Sequence, residues 1–309
     1  MEVHSMNHTQ HRLKGVLFAI IGATLWGLGG TVSDLLFNQR DIEVDWYVTA
    51  RLLISGIFLL SLYKLLHPKQ SMFIVFKKPK TIVSLFIYSL IGMLFVQYAY
   101  MASIATGNVA VATLLQYIAP VYIIIWFVIR GLDVFRPFDI LAITMTLIGT
   151  FLLLTNGSIS HLVVPPTSLF WGIISGLALA FYTIYATGLL EKFPSILIVG
   201  WAMIISGCAM SFKHPIWDVN FSNMSASTII YLIFGIIAGT TFAFYLFIDS
   251  LKYLSPKETT LLGTIEPVIA VVTSALWLGV TFQSVQVIGI VLILILILML
   301  SLKKQPEEM

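Results

Sequence analysis

Charge is what this sequence has least of. Of its 309 residues, only 10% are Asp, Glu, Lys or Arg, against about 25% in a typical soluble domain. A surface facing water all round cannot be assembled from so few charges, so most of it must face lipid. Cysteine is nearly absent. Cys208 stands alone inside an apolar run, which excludes an intramolecular disulfide and leaves the compartment open. Histidine is missing from every long apolar run: His4, His8, His11, His67, His161 and His214 all fall between or before them. There is no zinc-protease motif, no P-loop and no Gly-x-Ser-x-Gly elbow. The motifs therefore support no intramembrane hydrolase, zinc enzyme or ATPase, and no catalytic set, metal site or cofactor is read from the chain. The formal net charge is only +3, with the basic residues in short loops. That is no nucleic-acid footprint.

What is present is apolar sequence, 59% of the chain, in runs of about 20 residues, the length that spans a bilayer as a helix. We place spans at roughly 15–37, 46–66, 80–102, 108–129, 137–154, 168–190, 195–212, 226–248, 258–278 and 283–302. The first run follows Arg12 and Lys14. It is too long for a signal-peptide core and lacks a small-residue cleavage site, so it reads as a retained first helix. The expected class is an all-α integral membrane protein of ten transmembrane helices.

The basic residues test that count, because Lys and Arg concentrate in cytoplasmic loops. With the N-terminus inside, the inner segments hold Arg12, Lys14, Lys64, Lys69, Lys77, Lys78, Lys80, Arg130, Arg136, Lys192, Lys252, Lys257, Lys303 and Lys304. The outer loops hold only Arg40 and Lys213, and Arg51 lies within a span. One helix more or fewer would scramble this alternation. Both termini are therefore expected to be cytoplasmic.

The chain also repeats itself. Gly92, Phe95, Tyr98, Ser103, Thr113, Leu114, Leu115, Pro120 and Val121 recur, without a gap, 147 residues later as Gly239, Phe242, Tyr245, Ser250, Thr260, Leu261, Leu262, Pro267 and Val268. Ile54-Ser55-Gly56 returns as Ile205-Ser206-Gly207. Five helices per half is an odd number, so the second half must insert upside down. Two inverted five-helix repeats are a transporter architecture, with the substrate bound near the midplane between them.

Three segments then resemble the EamA family of the drug/metabolite transporter superfamily. Gly22-Ala23-Thr24-Leu25-Trp26-Gly27 is similar to its opening helix, Arg51-Leu52-Leu53 to its second-helix arginine, and Ile265-Glu266-Pro267-Val268 to its ninth-helix Glu-Pro segment. The resemblance covers roughly residues 12–302, in the family's order. It implies ten helices in two EamA repeats, 12–154 and 167–302, and export or exchange of amino acids, metabolites or drugs. The opening helix most resembles a bacterial branch of carboxylate, amino acid or amine transporters, which implies a bacterial plasma membrane. One departure is Ala119, which stands in the first repeat where Glu266 stands in the second.

Glu266 is the sharpest site candidate. It lies about eight residues into the ninth span, or roughly 12 Å, near the midplane. A carboxylate there must face the bundle or a cavity. Thr259, Gly263, Glu266, Ala270 and Thr273 give its helix a small, polar face, and Pro267 loosens the adjacent backbone. It reads as a proton-coupling site, as a contact to a cationic substrate group, or as a structural link. Arg51 and Asp34 lie in the outer thirds of the second and first spans. The expected arrangement is a compensated arginine, with Asp34 as first partner and Glu266 as second; an uncompensated one would bind a substrate carboxylate through its fork. Trp26, Gln97, Tyr98, Gln116, Tyr117, Tyr182, Tyr185, Trp201 and Tyr245 lie near mid-depth and suit a pocket lining. Each alone is equally a packing or belt residue.

The expected function is a secondary transporter of a small molecule, with a proton gradient or exchange as its drive. Lipids and a small-molecule substrate are its partners. The competing reading is a non-transporting scaffold or lipid-handling protein, which would have a packed centre. The topology has a direct test. Cysteines introduced at Asn38 and Ser160 are expected to react with a membrane-impermeant thiol reagent from outside, and one at Gln70 is not. The opposite pattern refutes the orientation.

Overall fold

A computed structural model of the chain describes residues 2–302 apart from 133, 135, 159–161, 220–223, 255–258, 260 and 261, with side chains from 12 to 299. Of the residues singled out above, Ser160, His161, Lys257, Thr260, Leu261, Lys303 and Lys304 lie outside the described set. The described chain is helical: α1 (Glu2–Arg40), α2 (Val44–Leu66), α3 (Pro79–Thr106), α4 (Val109–Ile129), α5 (Pro137–Thr155), α6 (Pro166–Leu190), α7 (Ser195–Ser211), α8 (Ala226–Ser250), α9 (Ile265–Leu276) and α10 (Ser284–Leu302). A short 3₁₀ turn, Met72–Phe76, joins α2 to α3.

Local sequence sets the ends. Pro79, Pro137 and Pro166 open α3, α5 and α6 at their first positions, where the missing N–H costs nothing. Asn156 ends α5 in the left-handed conformation (φ 51°), one of the few non-glycine residues that tolerate it. Seven helices among the described residues are long and apolar enough to cross a bilayer, and three shorter apolar ones span Ser195–Ser211, Ile265–Leu276 and Ser284–Met299. The sequence led us to expect residues 258–278 to form one continuous span. Instead a turn at Thr264 precedes α9.

Polarity runs inside out. Thr31, Ser33, Asp34, Arg51, Ser55 and Gln116 are buried, while Ile57, Phe86, Leu147, Ile173 and Ile233 are exposed. Such an apolar exterior suits lipid rather than water. The serines and threonines bond mostly to carbonyls of their own helices, as Ser33 does to Gly29 (2.7 Å) and Ser89 to Leu85 (2.6 Å). α10 exposes Ile288, Val291 and Ile295 on one face, and its other face packs on α5 through Ile290, Ile293 and Ile297.

The most extensive packing joins α1–α5 to α6–α10. α1 lies on α8 and α9, α2 on α7 and α8, α3 on α6 and α7, α4 on α6 and α9, and α5 on α10. Exchanging the two sets of five leaves this pattern unchanged. Helix irregularities follow the same exchange. A π-helical turn occupies Tyr88–Met93 in α3 and Phe234–Phe242 in α8. α4 breaks at Tyr117 ahead of Pro120, and the turn at Thr264 comes ahead of Pro267. Gly56 faces Ile204 across the α2–α7 crossing, and Gly207 faces Leu53.

Two further ties position the centre. Gly29 and Gly239 bring α1 and α8 so close that a Cβ on Gly29 would lie 2.7 Å from the Gly239 Cα. Asp34 reaches from α1 to the start of α4. Its Oδ2 accepts from the backbone N–H of Val109 (2.8 Å) and its Oδ1 from Asn38 Nδ2 (2.8 Å). The Val109 N–H is one of the helix-start donors that lack an intrahelical partner, and a negative charge there also complements the helix dipole.

Both ties predict stability. Gly29→Ala is expected to cost about 1–3 kcal/mol by overpacking. Gly188→Ala, where nothing lies within 4 Å, should be neutral or gain up to about 1 kcal/mol of helix propensity. Asp34→Ala should cost about 1–3 kcal/mol by orphaning a buried N–H, with Asp34→Asn milder because one acceptor remains. Thermal unfolding in detergent measures all four. An unchanged midpoint in Asp34→Ala would show that water replaces the cap.

Candidate functional site

The break before Pro267 builds the centre of the site. Proline has no N–H, so the carbonyl four residues earlier, that of Gly263, loses its helical donor. The Tyr117 hydroxyl takes its place at 3.2 Å, and the same hydroxyl lies 2.8 Å from Glu266 Oε2. Tyr117 sits at the matching break in α4, so two irregular turns face each other there. Glu266 occupies the first turn of α9 and is 9% exposed. α1 closes a further side: a Cβ on Gly27 would lie 2.8 Å from the Glu266 carbonyl oxygen, so only glycine allows this approach. A few residues on, Thr31 and Thr273 share a 2.5 Å hydrogen bond between α1 and α9.

One hydroxyl proton serves two acceptors here. When Glu266 is ionised, it competes with the Gly263 carbonyl for that proton. When Glu266 is protonated, its own O–H can donate to the Tyr117 oxygen, and Tyr117 can donate to Gly263.

Beside this pair lies Arg51, 6% exposed. Its Nη1 donates to Met101 Sδ at 3.0 Å, and its Cζ stands 5.6 Å from the centre of the Tyr47 ring. Tyr47, Tyr100 and Glu266 are within its electrostatic reach. The Tyr100 hydroxyl is hydrogen-bonded to Thr113 of α4 (2.7 Å). The expected Asp34–Arg51 pair is not formed, because Asp34 is engaged by Asn38 and the start of α4. Nor does Arg51 form an ion pair with Glu266, whose carboxylate is held by Tyr117.

The other candidates disperse. Trp26 packs on Phe244 (4.8 Å) and Phe247 (4.7 Å), two residues that flank Tyr245 closely in sequence. Tyr182 stacks on Tyr88 (4.7 Å) and Tyr185 on Phe181 (5.2 Å). Gln97 is buried within α3, and Gln116 is buried with no partner for Nε2. Trp201, another of the expected lining residues, donates its indole N–H to the Met72 carbonyl (2.8 Å) and packs on Phe73 and Phe76. The 3₁₀ turn supplies the acceptor that a buried indole needs.

Tyr98 belongs to a different cavity, of about 320 Å³, lined by residues including Glu43, Asp45, Thr106 and Trp171. There Lys213 pairs with Asp45 (2.8 Å) and lies 5.0 Å over the Tyr98 ring. The bond to Asp45 holds the Lys213 ammonium above the usual lysine range. His214 meets Glu43 (2.9 Å), and Trp46 Nε1 donates to the Ile216 carbonyl (2.9 Å). Residues 213–216 are thus fastened to the start of α2.

Sequence reasoning missed Tyr47, Tyr100, Met101 and Asn38. Two of them had a readable signal. Tyr47 and Arg51, like Asp34 and Asn38, are four apart on one helix and so share a face.

The chain has known relatives. The model of the EamA-like transporter family matches the chain twice, over residues 13–155 and 166–302. The chain is 31% identical over 281 residues to an uncharacterized inner membrane transporter, YicL, of Salmonella typhimurium, covering 90% of this chain and 92% of that one. It is 32% identical over 206 residues to an uncharacterized transporter of Archaeoglobus fulgidus, covering 62% of this chain and 66% of the other. One protein of known crystal structure shares the fold with a TM-score of 0.61 at 15% identity, over 93% of this chain and 95% of its own. With its family model matched over nearly its whole length, this multi-pass membrane protein belongs to the EamA-like transporter family.

Proposed function

We propose that the protein is a secondary transporter that moves a small metabolite across a bacterial cell membrane by alternating access, with Glu266 and Tyr117 as its proton-responsive element. One observation carries this reading. A buried carboxylate shares a single hydroxyl proton with a backbone carbonyl that a proline has left open. Protonating Glu266 would release the Tyr117 proton to Gly263, and ionising it would draw that proton back. The charge state of one side chain thereby bears on a helix break at the contact between α4 and α9. Irregular backbone at membrane depth is characteristic of transporter sites.

The architecture we propose is ten spans in two inverted repeats, 12–154 and 167–302, with both termini cytoplasmic. The exchange symmetry of the packing, the paired π-helical turns and the paired breaks support it. In the proposed cycle, the fastening of residues 213–216 to the start of α2 closes the outer end. The transporter names of the relatives agree with this reading.

The test is transport in proteoliposomes, using a ligand first found by its thermal stabilisation of the purified protein. Glu266→Gln keeps the shape and removes the charge. It is expected to fold normally and to lose gradient-driven uptake or efflux while retaining exchange. Tyr117→Phe removes a hydrogen bond to a charged group, about 1.5–3 kcal/mol, or roughly ten- to hundredfold on the coupled step. Wild-type gradient-driven transport in Glu266→Gln would remove Glu266 from the mechanism.

A further inference from the structure

We propose that the connection between α2 and α3 is a binding site for an anionic phospholipid. Its phosphate sits at Lys64 and Lys69, and its acyl chains lie on Phe73 and the apolar residues beside it. This rests on the chain's membrane spans alone and is independent of the transport reading above.

Charge is scarce in this chain, yet Lys64, Lys69, Lys77, Lys78 and Lys80 crowd one connection, and no Asp or Glu occurs from residue 46 to 132. None of the five lysines forms an ion pair among the described residues. A cytoplasmic location accounts for lysines in a loop, but not for the way this loop holds them. Lys64 Nζ donates to the carbonyls of Pro68 (2.8 Å) and Gln70 (3.3 Å). An ammonium has three donors and no acceptor. Two neutral carbonyls therefore fix it in place, leave its charge uncompensated and leave one N–H over. Buried Tyr63 orders the same loop: its ring stacks on His67 (4.8 Å), and its hydroxyl donates to Gln70 Oε1 (2.7 Å).

Lys64, Lys69, Gln70, Ser71, Met72 and Phe73 line one cavity of about 360 Å³. Its acceptors are already engaged. The Gln70 carbonyl takes Lys64, the Ser71 carbonyl takes the Ile74 N–H (3.3 Å), and the Met72 carbonyl takes the Trp201 indole. Ser71 Oγ accepts from the Phe73 N–H (3.2 Å). The polar side thus offers donors: two ammoniums, the Gln70 amide and the Ser71 hydroxyl. Its complement is an anion rich in acceptors. The other side is apolar, with Phe73 58% and Leu65 77% exposed, and Leu66 and Ile74 exposed as well. Apolar side chains beside lysines at the end of a span suit the boundary where headgroup phosphates meet acyl chains. Free phosphate would leave that apolar side in water. Phosphatidylcholine or phosphatidylethanolamine would bring its own cation against the lysines. A phosphodiester with an uncharged headgroup, as in phosphatidylglycerol, satisfies both sides. Because Trp201 ties this turn to α7, a lipid held here braces the α2–α3 connection against the second set of five helices.

The experiment follows the thermal midpoint of the purified full chain in neutral detergent. Phosphatidylglycerol, phosphatidylcholine with the same acyl chains, and acyl-free glycerol phosphate are each titrated in. Phosphatidylglycerol is expected to raise the midpoint where the other two do not. Lys69 makes no hydrogen bond among the described residues, so Lys69→Gln should fold normally and bind the lipid roughly fivefold more weakly. Lys64→Gln with Lys69→Gln should weaken it by about 25-fold. Lys77→Gln with Lys78→Gln, the same charge change outside the cavity, should weaken it by much less. Equal losses in the two double variants would mean a diffuse positive field and overturn the site. So would a phosphatidylcholine shift equal to that of phosphatidylglycerol, or no shift with either. An equal shift with glycerol phosphate would make the ligand a free phosphate and overturn the lipid assignment.

Discussion

The hydrocarbon core of a bilayer supplies no hydrogen bonds, so each polar group in this protein must find its partner within the protein. That constraint orders the structure. Hydroxyls turn back onto carbonyls of their own helices, as at Ser33 and Ser89. The indoles of Trp46 and Trp201 reach backbone oxygens beyond their own helices. Asp34 bonds to the first N–H of a neighbouring helix. Among the described residues, the buried side-chain atoms that stay open are Arg51 Nε, Gln116 Nε2, Thr150 Oγ1, Asn156 Oδ1 and Ser274 Oγ, and the Gly263 carbonyl has only a shared proton.

The same constraint governs where helices can be irregular. A broken helix in lipid exposes backbone groups that nothing can satisfy, so breaks belong where other helices cover them. Here the two breaks face each other, and the hydroxyl beside one meets the carbonyl opened by the other. The π-helical turns of α3 and α8 are treated alike. In α8 the hydroxyls of Thr240 and Thr241 bond carbonyls five residues back, those of Gly235 and Ile236. Glycine at 29 and 239 then lets α1 approach that turn closely.

Much of this was legible in the sequence, because periodic features leave periodic traces. Long apolar runs gave the helices, and the 147-residue offset aligned Pro120 with Pro267, each of which follows a helix break in the structure. Glu266 and Pro267 stood out because a carboxylate and an imino acid are both costly at that depth. What the sequence hid was the choice among partners. Asp34 and Arg51 sit at comparable depths on adjacent helices, and charge alone pairs them. It was the start of α4, 75 residues away in sequence, that competed for the carboxylate, and no local pattern announces such a contact. Trp201 misled in a similar way. Its depth on α7 suggested the centre, but an indole goes where an acceptor is, and the 3₁₀ turn after α2 provides one.

Arg51 and the shared proton belong to one electrostatic field, since Arg51 and Glu266 are within reach of each other without touching. Tyr117 links that field to the backbone, because its hydroxyl bonds both the carboxylate and the open carbonyl at the α9 break. A salt bridge from Arg51 to Glu266 would fix the carboxylate in its charged form. Arg51 instead rests on Met101 and the Tyr47 ring, which leaves the carboxylate to the tyrosine. On the proposed function, that division of partners is what would let the protonation of Glu266 reach the helix break.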